Sequence, residues 1–479
     1  MNVLSHLEPK GVFAFFEAIS AIPHGSGNTK QISDYLMDFA AKRNLEAYQD
    51  ALNNVVIIKE ATPGYEGAEP VILQGHMDMV CEKAPGCAKD LDKEGLDLVV
   101  EGDTIYDKDT TLGGDDGIAV AMALALLDAE DVCHPRLEAV FTVDEETGMD
   151  GAVGLDVSML RGRRMLNIDS EVEGVFTVSC AGGNITRCTL PVSREVYGGE
   201  TVVVTVGGLV GGHSGVEIHK GRGNACMLLG RLLAAAAKET EIRIVSVSGG
   251  LKDNALPREA AAVIAAADAR EVEAVVQTMD AALKNEYRTA DGGVFVTCGA
   301  VKREALPMDE DSTRRVLTLL ACAPNGVQVM SAEIEGLVQT SLNLGILATE
   351  EDQVAASFCV RSSVGSQKTM LVDRLSCLLA ALGGGIAVSG DYPGWEYRSE
   401  SPLRELMTQV FREQYGREPV IEAIHAGLEC GLFAGKLPGL DCVSIGPDLT
   451  EIHTTREKMH ISSVQRVWKM TVEVLRRMK

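Results

Sequence analysis

Four apolar runs of strand length lie in the first 186 residues, and polar motifs follow three of them directly. The runs are NNVVIIKE, PVILQGHMD, LEAVFTVDE and RRMLNIDS, separated by amphipathic stretches such as GIAVAMALALLDA. This alternation predicts an α/β fold with a layered sheet. It also places His76, Asp78, Glu145, Glu146 and Asp169 just past strand ends, where ligand crevices open in α/β sheets.

From about residue 187 the texture changes. ETVVVTVGGL and AAAVIAAAD read as strands, whereas NACMLLGRLLAAAAKE and AREVEAVVQTMDAALKNEY have helical periodicity. A second set with a similar order follows, from STRRVLTLLACA to SQKTMLVDRLSCLLAAL, which predicts a small α/β domain of two halves without a sequence repeat. After GDYPGWEY the first texture resumes. The expectation is one domain formed by residues 1–186 and 392–479, interrupted by a domain at 187–391.

Length and composition agree with two folded domains. A chain of 479 residues, 46% hydrophobic and 24% charged, exceeds one ordinary core and lacks the profile of disorder. Its net charge of −25 repels phosphate backbones and anionic lipid, so neither nucleic acid nor a membrane is an expected partner. The longest apolar run, Ile118 to Leu127, is about half of what spans a bilayer, and MNVLSHLEPKG lacks the basic and apolar regions of a signal peptide. A cytoplasmic location is expected. The 12 cysteines are scattered with no CxxC pair, which predicts buried reduced thiols and no thiolate-ligated zinc.

The polar motifs need a chemistry. In GHMD, His76 and Asp78 lie two apart on a strand-like run and share a face. Asp115 and Asp116 follow two glycines and precede a long helix, and a helix cap needs only one of them. An EF-hand is excluded, since Leu112 stands where glycine is needed and Ile118 where the bidentate glutamate should be; a phosphate loop is excluded for want of GK[ST]. Glu145 and Glu146 in VDEETG, Asp169 in NIDSE, and His453 and His460 in EIHTTREKMHI each have a plain alternative as cap, loop charge or surface imidazole. Together, imidazoles and carboxylates at successive strand ends suit borderline divalent ions such as zinc, manganese or cobalt. Five such ligands exceed the needs of one zinc and fit two ions sharing a bridging carboxylate, as in aminopeptidases.

These motifs carry a resemblance. GHMDMV, TLGGDDGIA, TVDEETGMDGA, LNIDSEVEG, GGHSGVEIHKGRGNA and IHTTRE, in this order, resemble the M20 family of metallopeptidases, and NIDSEVEG and HAGLECG resemble its aminoacyl-histidine dipeptidase branch. The resemblance implies a zinc-exopeptidase-like catalytic domain with a layered mixed sheet, interrupted by an α+β lid of two ferredoxin-like halves. It makes His76 and Asp169 ligands of one metal, Glu146 and His453 ligands of the other, and Asp115 the bridge. Asp78 would then orient His76, and Glu145 would be the general base acting on a water shared between the metals. The lid would supply His213, Asn254 and Arg361 to the substrate; Gly427 would lie beside the substrate backbone, with neighbouring His425 a weaker candidate, and His460 is read as structural.

The implied activity is hydrolysis of dipeptides, including Xaa-His types such as carnosine, with two divalent ions, Zn2+ first and Mn2+ or Co2+ as alternatives. An M20-type deacylase of N-acyl amino acids shares the metal residues and is the alternative enzyme. A metal-binding scaffold is the non-enzymatic alternative, and it has no use for Glu145. The family's habit of pairing through the lid favours a homodimer.

Overall fold

The computed structural model describes residues 3–302 and 305–479. The chain forms two compact units, Met1–Ser179 with Tyr397–Ala423 and Leu428–Lys479, and Cys180–Glu396 with Ile424–Gly427.

The first unit is built on an eight-stranded sheet. Its order is Glu46–Gln49, Val55–Lys59, Leu137–Thr142, Val71–His76, Arg164–Asn167, Asp441–Ser444, Val175–Cys180 and Val420–Ile424. Leu137–Thr142, Val71–His76, Arg164–Asn167 and Asp441–Ser444 run parallel to one another. Every residue of Val71–His76 and Leu137–Thr142 is buried, as expected of parallel strands covered on both faces. The helix Gly114–Asp128 packs against both Val71–His76 and the helix Lys10–Ser20. It is buried from Asp116 to Leu127, which explains its lack of a polar face. Gly75 permits this contact, because a Cβ there would meet Ala119 Cβ and Asp116 Oδ2 at 2.4 Å. A separate four-stranded sheet has the order Leu449–Thr450, Lys458–His460, Thr104–Asp107 and Leu98–Glu101.

The second unit holds a nine-stranded sheet. Its path runs Phe295–Ala300, Glu200–Gly207, Ala260–Ala266, Ile242–Gly249, Val338–Thr349, Gln353–Ser362, Gly182–Pro191 and Gly385–Tyr392, and Gly326–Met330 also pairs with Val338–Thr349. The two halves read from the sequence share this one sheet. They join where Ser248 and Gly249 pair with Ala348 and Leu347. Apolar strand residues such as Val204, Ile264, Leu344 and Phe358 form a single core with Leu229, Leu283, Leu320 and Leu375 of the helices Ala225–Glu239, Ala269–Glu286, Glu310–Cys322 and Gly365–Ala381. Register sets one row across four strands: Ser341 opposes Arg361, Arg361 opposes Gly183, and Gly183 opposes Tyr392. Opposed residues in antiparallel strands share a face. Gly183 leaves that face open, since a Cβ there would lie 2.8 Å from Tyr392 Oη.

All 12 cysteines are free, but they are not uniformly buried: Cys81, Cys133, Cys322 and Cys377 are exposed. Apolar neighbours in sequence do not bury these four because they sit in loops or on outward helix faces. Among the described residues no helix is long and apolar enough to cross a membrane.

Candidate active site

Register brings three motifs to one edge of the first sheet. His76 ends its strand opposite Thr142, and Gln74 of the same strand opposes Asn167, so the chain leaves all three strands at the same edge. Asp78, Asp169 and the Glu145–Glu146 pair follow within four residues of those ends. At the glutamates the strand has already finished. Asp144 takes a left-handed φ of 57° and the helical turn Glu145–Gly148 begins. Neighbours on a helical turn lie about 100° apart rather than on opposite faces, so both carboxylates remain at the edge.

Asp115 and His453 arrive by other routes, which corrects the expectation that every site residue stands at a strand end of one sheet. Asp115 belongs to the entry of the helix Gly114–Asp128, where Asp115 (φ −86°, ψ 106°) and Asp116 (φ −116°, ψ 30°) are not yet helical. The two aspartates therefore diverge. Asp116 turns under the strand and accepts the His76 backbone N–H at 3.1 Å. His453, with φ 58°, sits between Leu449–Thr450 and Lys458–His460 of the small sheet. His460 ends that sheet's second strand and joins none of the donor clusters found among the described residues.

Asp115 stands between the two imidazoles. Its Oδ1 is 3.2 Å from His76 Nε2, and its Oδ2 is 3.2 Å from His453 Nε2. Glu146 Oε1 lies 2.8 Å from the same nitrogen of His453, and Asp169 Oδ1 lies 3.6 Å from His76 Nε2. The other nitrogen of His76, Nδ1, is 2.9 Å from the backbone carbonyl of Asp78, with the Asp78 carboxylate farther off at 3.4 Å. The carbonyl makes the shorter contact, and the Asp78 carboxylate lies on the same side of the ring. The Asp78 carboxylate accepts from Ser26 Oγ at 2.7 Å and from the Glu145 backbone N–H at 3.2 Å.

Two buried glutamates brace the cluster, and neither is evident in the sequence. Glu457 accepts the backbone N–H groups of Leu112 at 2.8 Å, Gly113 at 3.2 Å and Gly114 at 2.8 Å, clamping the loop that delivers Asp115. Glu429 Oε2 accepts from Gln74 Nε2 and Thr142 Oγ1, each at 2.6 Å, and Gln74 Oε1 accepts from Asn167 Nδ2 at 2.6 Å. This network ties together three strands beneath the edge. The only signal for Glu457 was its position four residues after His453, and a glutamate in REKMH reads as surface charge.

The cluster carries an excess of carboxyl groups. Asp78, Asp115, Asp116, Glu145, Glu146 and Asp169 surround two imidazoles. Burial pushes the Glu145 carboxyl up to about 9, with His76 opposing and the Asp169, Glu429 and Glu146 charges adding to the rise. Burial likewise raises Asp169. Burial would raise Asp115 too, but hydrogen bonds from His453 and His76 outweigh it and hold Asp115 below the usual carboxylate range. Hydrogen bonds to Asp115 and Glu146 carry His453 up to about 10. Desolvation works against protonation of His76, yet Asp115, Asp169 and Asp78 hold it well above the usual imidazole value. Buried carboxyls crowded beside one another, and imidazoles that hold protons between them, make a charge pattern that added cations would relieve.

Divalent cations fit that need. Three sets of donor atoms, His76/Asp116/Asp169, His76/Glu145/Glu146 and Asp115/Glu146/His453, each lie within 4.8 Å of one another. A mixed imidazole and carboxylate set without thiolate suits borderline divalent ions.

The remaining sequence candidates lie in the second unit. His213 Nδ1 accepts the backbone N–H groups of Gly215 and Val216, each at 3.2 Å, which leaves the proton on Nε2 and makes that atom a donor. Ser214 N donates to Asn254 O at 2.8 Å, and Asn343 Nδ2 holds the neighbouring carbonyls of Asp253 at 3.2 Å and Ala255 at 2.9 Å. His213 and Asn254 line one cavity of 740 Å³. Arg361 is buried in the middle of its register row and donates to Tyr392 Oη at 3.2 Å. Gly427 belongs to the short piece Ile424–Gly427, whose Ile424 and Ala426 carbonyls both accept from Ala181 N.

An α/β unit that gathers imidazoles and carboxylates at a parallel-strand edge has the donor set of a divalent-metal protein. Known proteins narrow the class. Residues 204–291 match the peptidase dimerisation domain of the M20 peptidases. The chain is 38% identical to the cytosol non-specific dipeptidase of Escherichia coli (strain K12), over 99% of each chain. Its structure superposes on the aminoacylhistidine dipeptidase of Vibrio alginolyticus with a TM-score of 0.94 and 36% identity, covering 99% of this chain and 97% of the other. The aminopeptidase PepT of Bacillus cereus shares the fold at a TM-score of 0.56 and 16% identity, covering 98% and 99%. The chain belongs to the M20 family of metallopeptidases, in the branch of these dipeptidases.

Proposed function

We propose that this metallopeptidase hydrolyses dipeptides with a free carboxyl end, Xaa-His substrates among them, at a site holding two divalent ions, Zn2+ first among them. In this reading His76, Asp115 and Asp169 would hold one ion, and Asp115, Glu146 and His453 would hold the other. The observation that carries it is the placement of Asp115, with one oxygen 3.2 Å from each of two imidazoles. Bound cations would act as Lewis acids on the peptide carbonyl and on the attacking water.

The chain's own groups supply the rest. Glu145 takes the proton from the attacking water and returns it to the leaving amine. Its backbone N–H bond to Asp78, at 3.2 Å, fixes the turn from which its carboxylate projects. His213 Nε2–H is a ready donor to the oxygen that becomes negative as the carbonyl is attacked. Arg361 offers a guanidinium to the terminal carboxylate, and Asn254 and Gly427 complete the substrate contacts. The name of the Escherichia coli relative and the peptidase dimerisation match support a cytoplasmic homodimer.

The test is elemental analysis of the purified protein joined to a substrate panel, with and without added zinc, manganese or cobalt. Close to two equivalents of metal and turnover of Ala-His are expected. Cleavage of N-acetylhistidine but not of Ala-His would replace the dipeptidase reading with the deacylase one.

A further inference from the structure

The imidazole of His425 is unexplained by the roles assigned so far. It is 5% exposed, and Ser341, 1% exposed, stands 2.7 Å from its Nε2 through Oγ. Its other nitrogen, Nδ1, is fully buried and has no hydrogen-bond partner among the described residues. Buried polar atoms in folded proteins are nearly always paired, so an unpaired one indicates a missing partner.

A second buried polar atom without a partner among the described residues belongs to Arg361. Ser341 and Arg361 are directly opposed across antiparallel strands and share a face. Arg361 is 7% exposed, and its Nε, which can only donate, is also buried without a partner. The Arg361 charge acts on both His425 and His213. Burial, reinforced by that charge, pushes the His425 imidazole down to about 3, so the ring is neutral and one nitrogen alone carries the proton.

The Ser341 hydroxyl can donate to Nε2 or accept from it, so the partner that Nδ1 meets settles which nitrogen that is. Among the described residues His425 is the only hydrogen-bond partner of the Ser341 hydroxyl. If the hydroxyl donates to Nε2, the proton resides on Nδ1, and Nδ1–H and Arg361 Nε–H become two unpaired donors on one face. Their common complement is an acceptor with several lone pairs and negative charge. The opposite arrangement, a bare Nδ1 awaiting an ammonium group, would bring a cation up to the Arg361 guanidinium. A carboxylate fits and an amine does not.

We infer that His425, held in place by Ser341, is a second donor to the carboxylate of the substrate's C-terminal residue, beside Arg361. The inference rests on the dipeptidase reading for its substrate and sharpens it. Recognition of the free carboxyl end becomes a shared task of a fixed charge and a neutral donor, with Ser341 as the positioning residue. The backbone supports the placement. Ala181 N holds the carbonyls on both sides of His425, and Gly215 lets the His213 loop approach its carbonyl, since a Cβ on Gly215 would lie 2.4 Å from His425 O.

The experiment compares Ala-His with its C-terminal amide, using metal-loaded wild type, His425→Ala, His425→Asn and Ser341→Ala. His425→Ala should raise KM for Ala-His roughly 10- to 100-fold, the worth of one buried charge-assisted hydrogen bond, with kcat changed far less. Its KM for the amide should stay within about threefold of wild type. His425→Asn, which returns a donor near Nδ1, should recover part of the loss, and Ser341→Ala should show a smaller loss confined to the free acid. Equal losses on acid and amide, or no loss on either, would overturn the inference. The dipeptidase reading fails separately, if wild type cleaves only N-acetylhistidine; the acid–amide comparison is then made with N-acetylhistidine and its amide. Calorimetric binding of L-histidine against L-histidinamide reads the same preference without turnover, and its persistence in His425→Ala would also overturn the inference.

Discussion

Glu145 and Glu146 occupy one helical turn, Glu145–Gly148, rather than the opposite faces of a strand. Only Glu146 touches His453, at 2.8 Å, whereas the backbone of Glu145 is tied to Asp78. Two identical side chains thereby take different work. Glu145→Ala should lower kcat by about 10²- to 10⁴-fold, the usual range for a general base, with metal content near that of wild type. Glu146→Ala should lose metal. Elemental analysis alongside steady-state kinetics separates the two, and survival of activity in Glu145→Ala would remove its assignment as base.

Asp115 contacts both imidazoles, so its loss should be worse than that of any other proposed ligand. Asp115→Ala is expected to reduce bound metal at both positions, where Glu146→Ala chiefly reduces one. Titration of the metal-free variants with Mn2+ or Co2+, followed spectroscopically, would show whether one site or two has been lost.

Metal loading should release protons. Hydrogen bonds to Asp115 and Glu146 hold His453 up at about 10, so near pH 7 this proposed ligand carries a proton in the metal-free protein. Ligand atoms must give theirs up when a cation binds. Apparent affinity should therefore rise with pH between about 6 and 9. Calorimetry in buffers of different ionisation enthalpy measures the protons released, and a release near zero would contradict the charge balance derived for this cluster.

Removing the Glu457 carboxylate should act at a distance. Glu457→Ala leaves the N–H groups of Leu112, Gly113 and Gly114 without their acceptor, at about 1–3 kcal/mol each. Stability in urea should fall by several kcal/mol, and the surviving folded protein should bind metal more weakly because the Asp115 loop is no longer clamped. Unchanged metal affinity would reduce Glu457 to a structural residue.

Glu429 offers a pH test in the metal-free protein. Burial raises its carboxyl to about 7, with the Asp169 and Asp78 charges adding and His76 and Thr142 opposing. A raised folded-state value means that the native state holds the proton longer than the unfolded chain does. Its contribution is fully present below the unfolded value of about 4.5 and is lost as pH rises through about 7. Relative to Glu429→Gln, wild type should lose up to about 3 kcal/mol between pH 4.5 and pH 8. Parallel denaturation curves across that range would refute this.

Much of the first unit was legible in the sequence because its strands are short apolar runs and its motifs sit directly beyond them. His76, Asp169 and the glutamate pair come together at a sheet edge for that reason. Asp115 and His453 were legible only as residue types, since their positions depend on the non-helical entry at Asp115–Asp116 and on a small separate sheet. Glu429 and Glu457 were invisible. A buried glutamate and a solvated one look alike until the strands that bury it are in place. Residues 424–427 belong to the second unit although both flanks belong to the first, and no change of composition signals so short a crossing. The role of Ser341 depends on a cross-strand register that no local pattern encodes.

The order of strands in both sheets has a consequence for how the protein is made. Gly182–Pro191 lies between Gln353–Ser362 and Gly385–Tyr392, and Arg164–Asn167 lies beside Asp441–Ser444. On a translating ribosome, at about 5–20 residues per second, the strand ending at Pro191 waits roughly 10–30 s for its first neighbour. Arg164–Asn167 waits longer still for Asp441–Ser444. The side of Arg164–Asn167 that faces Asp441–Ser444 is thus among the last parts of the sheet to close, and a nascent chain stalled before residue 441 carries an open parallel edge and lacks His453.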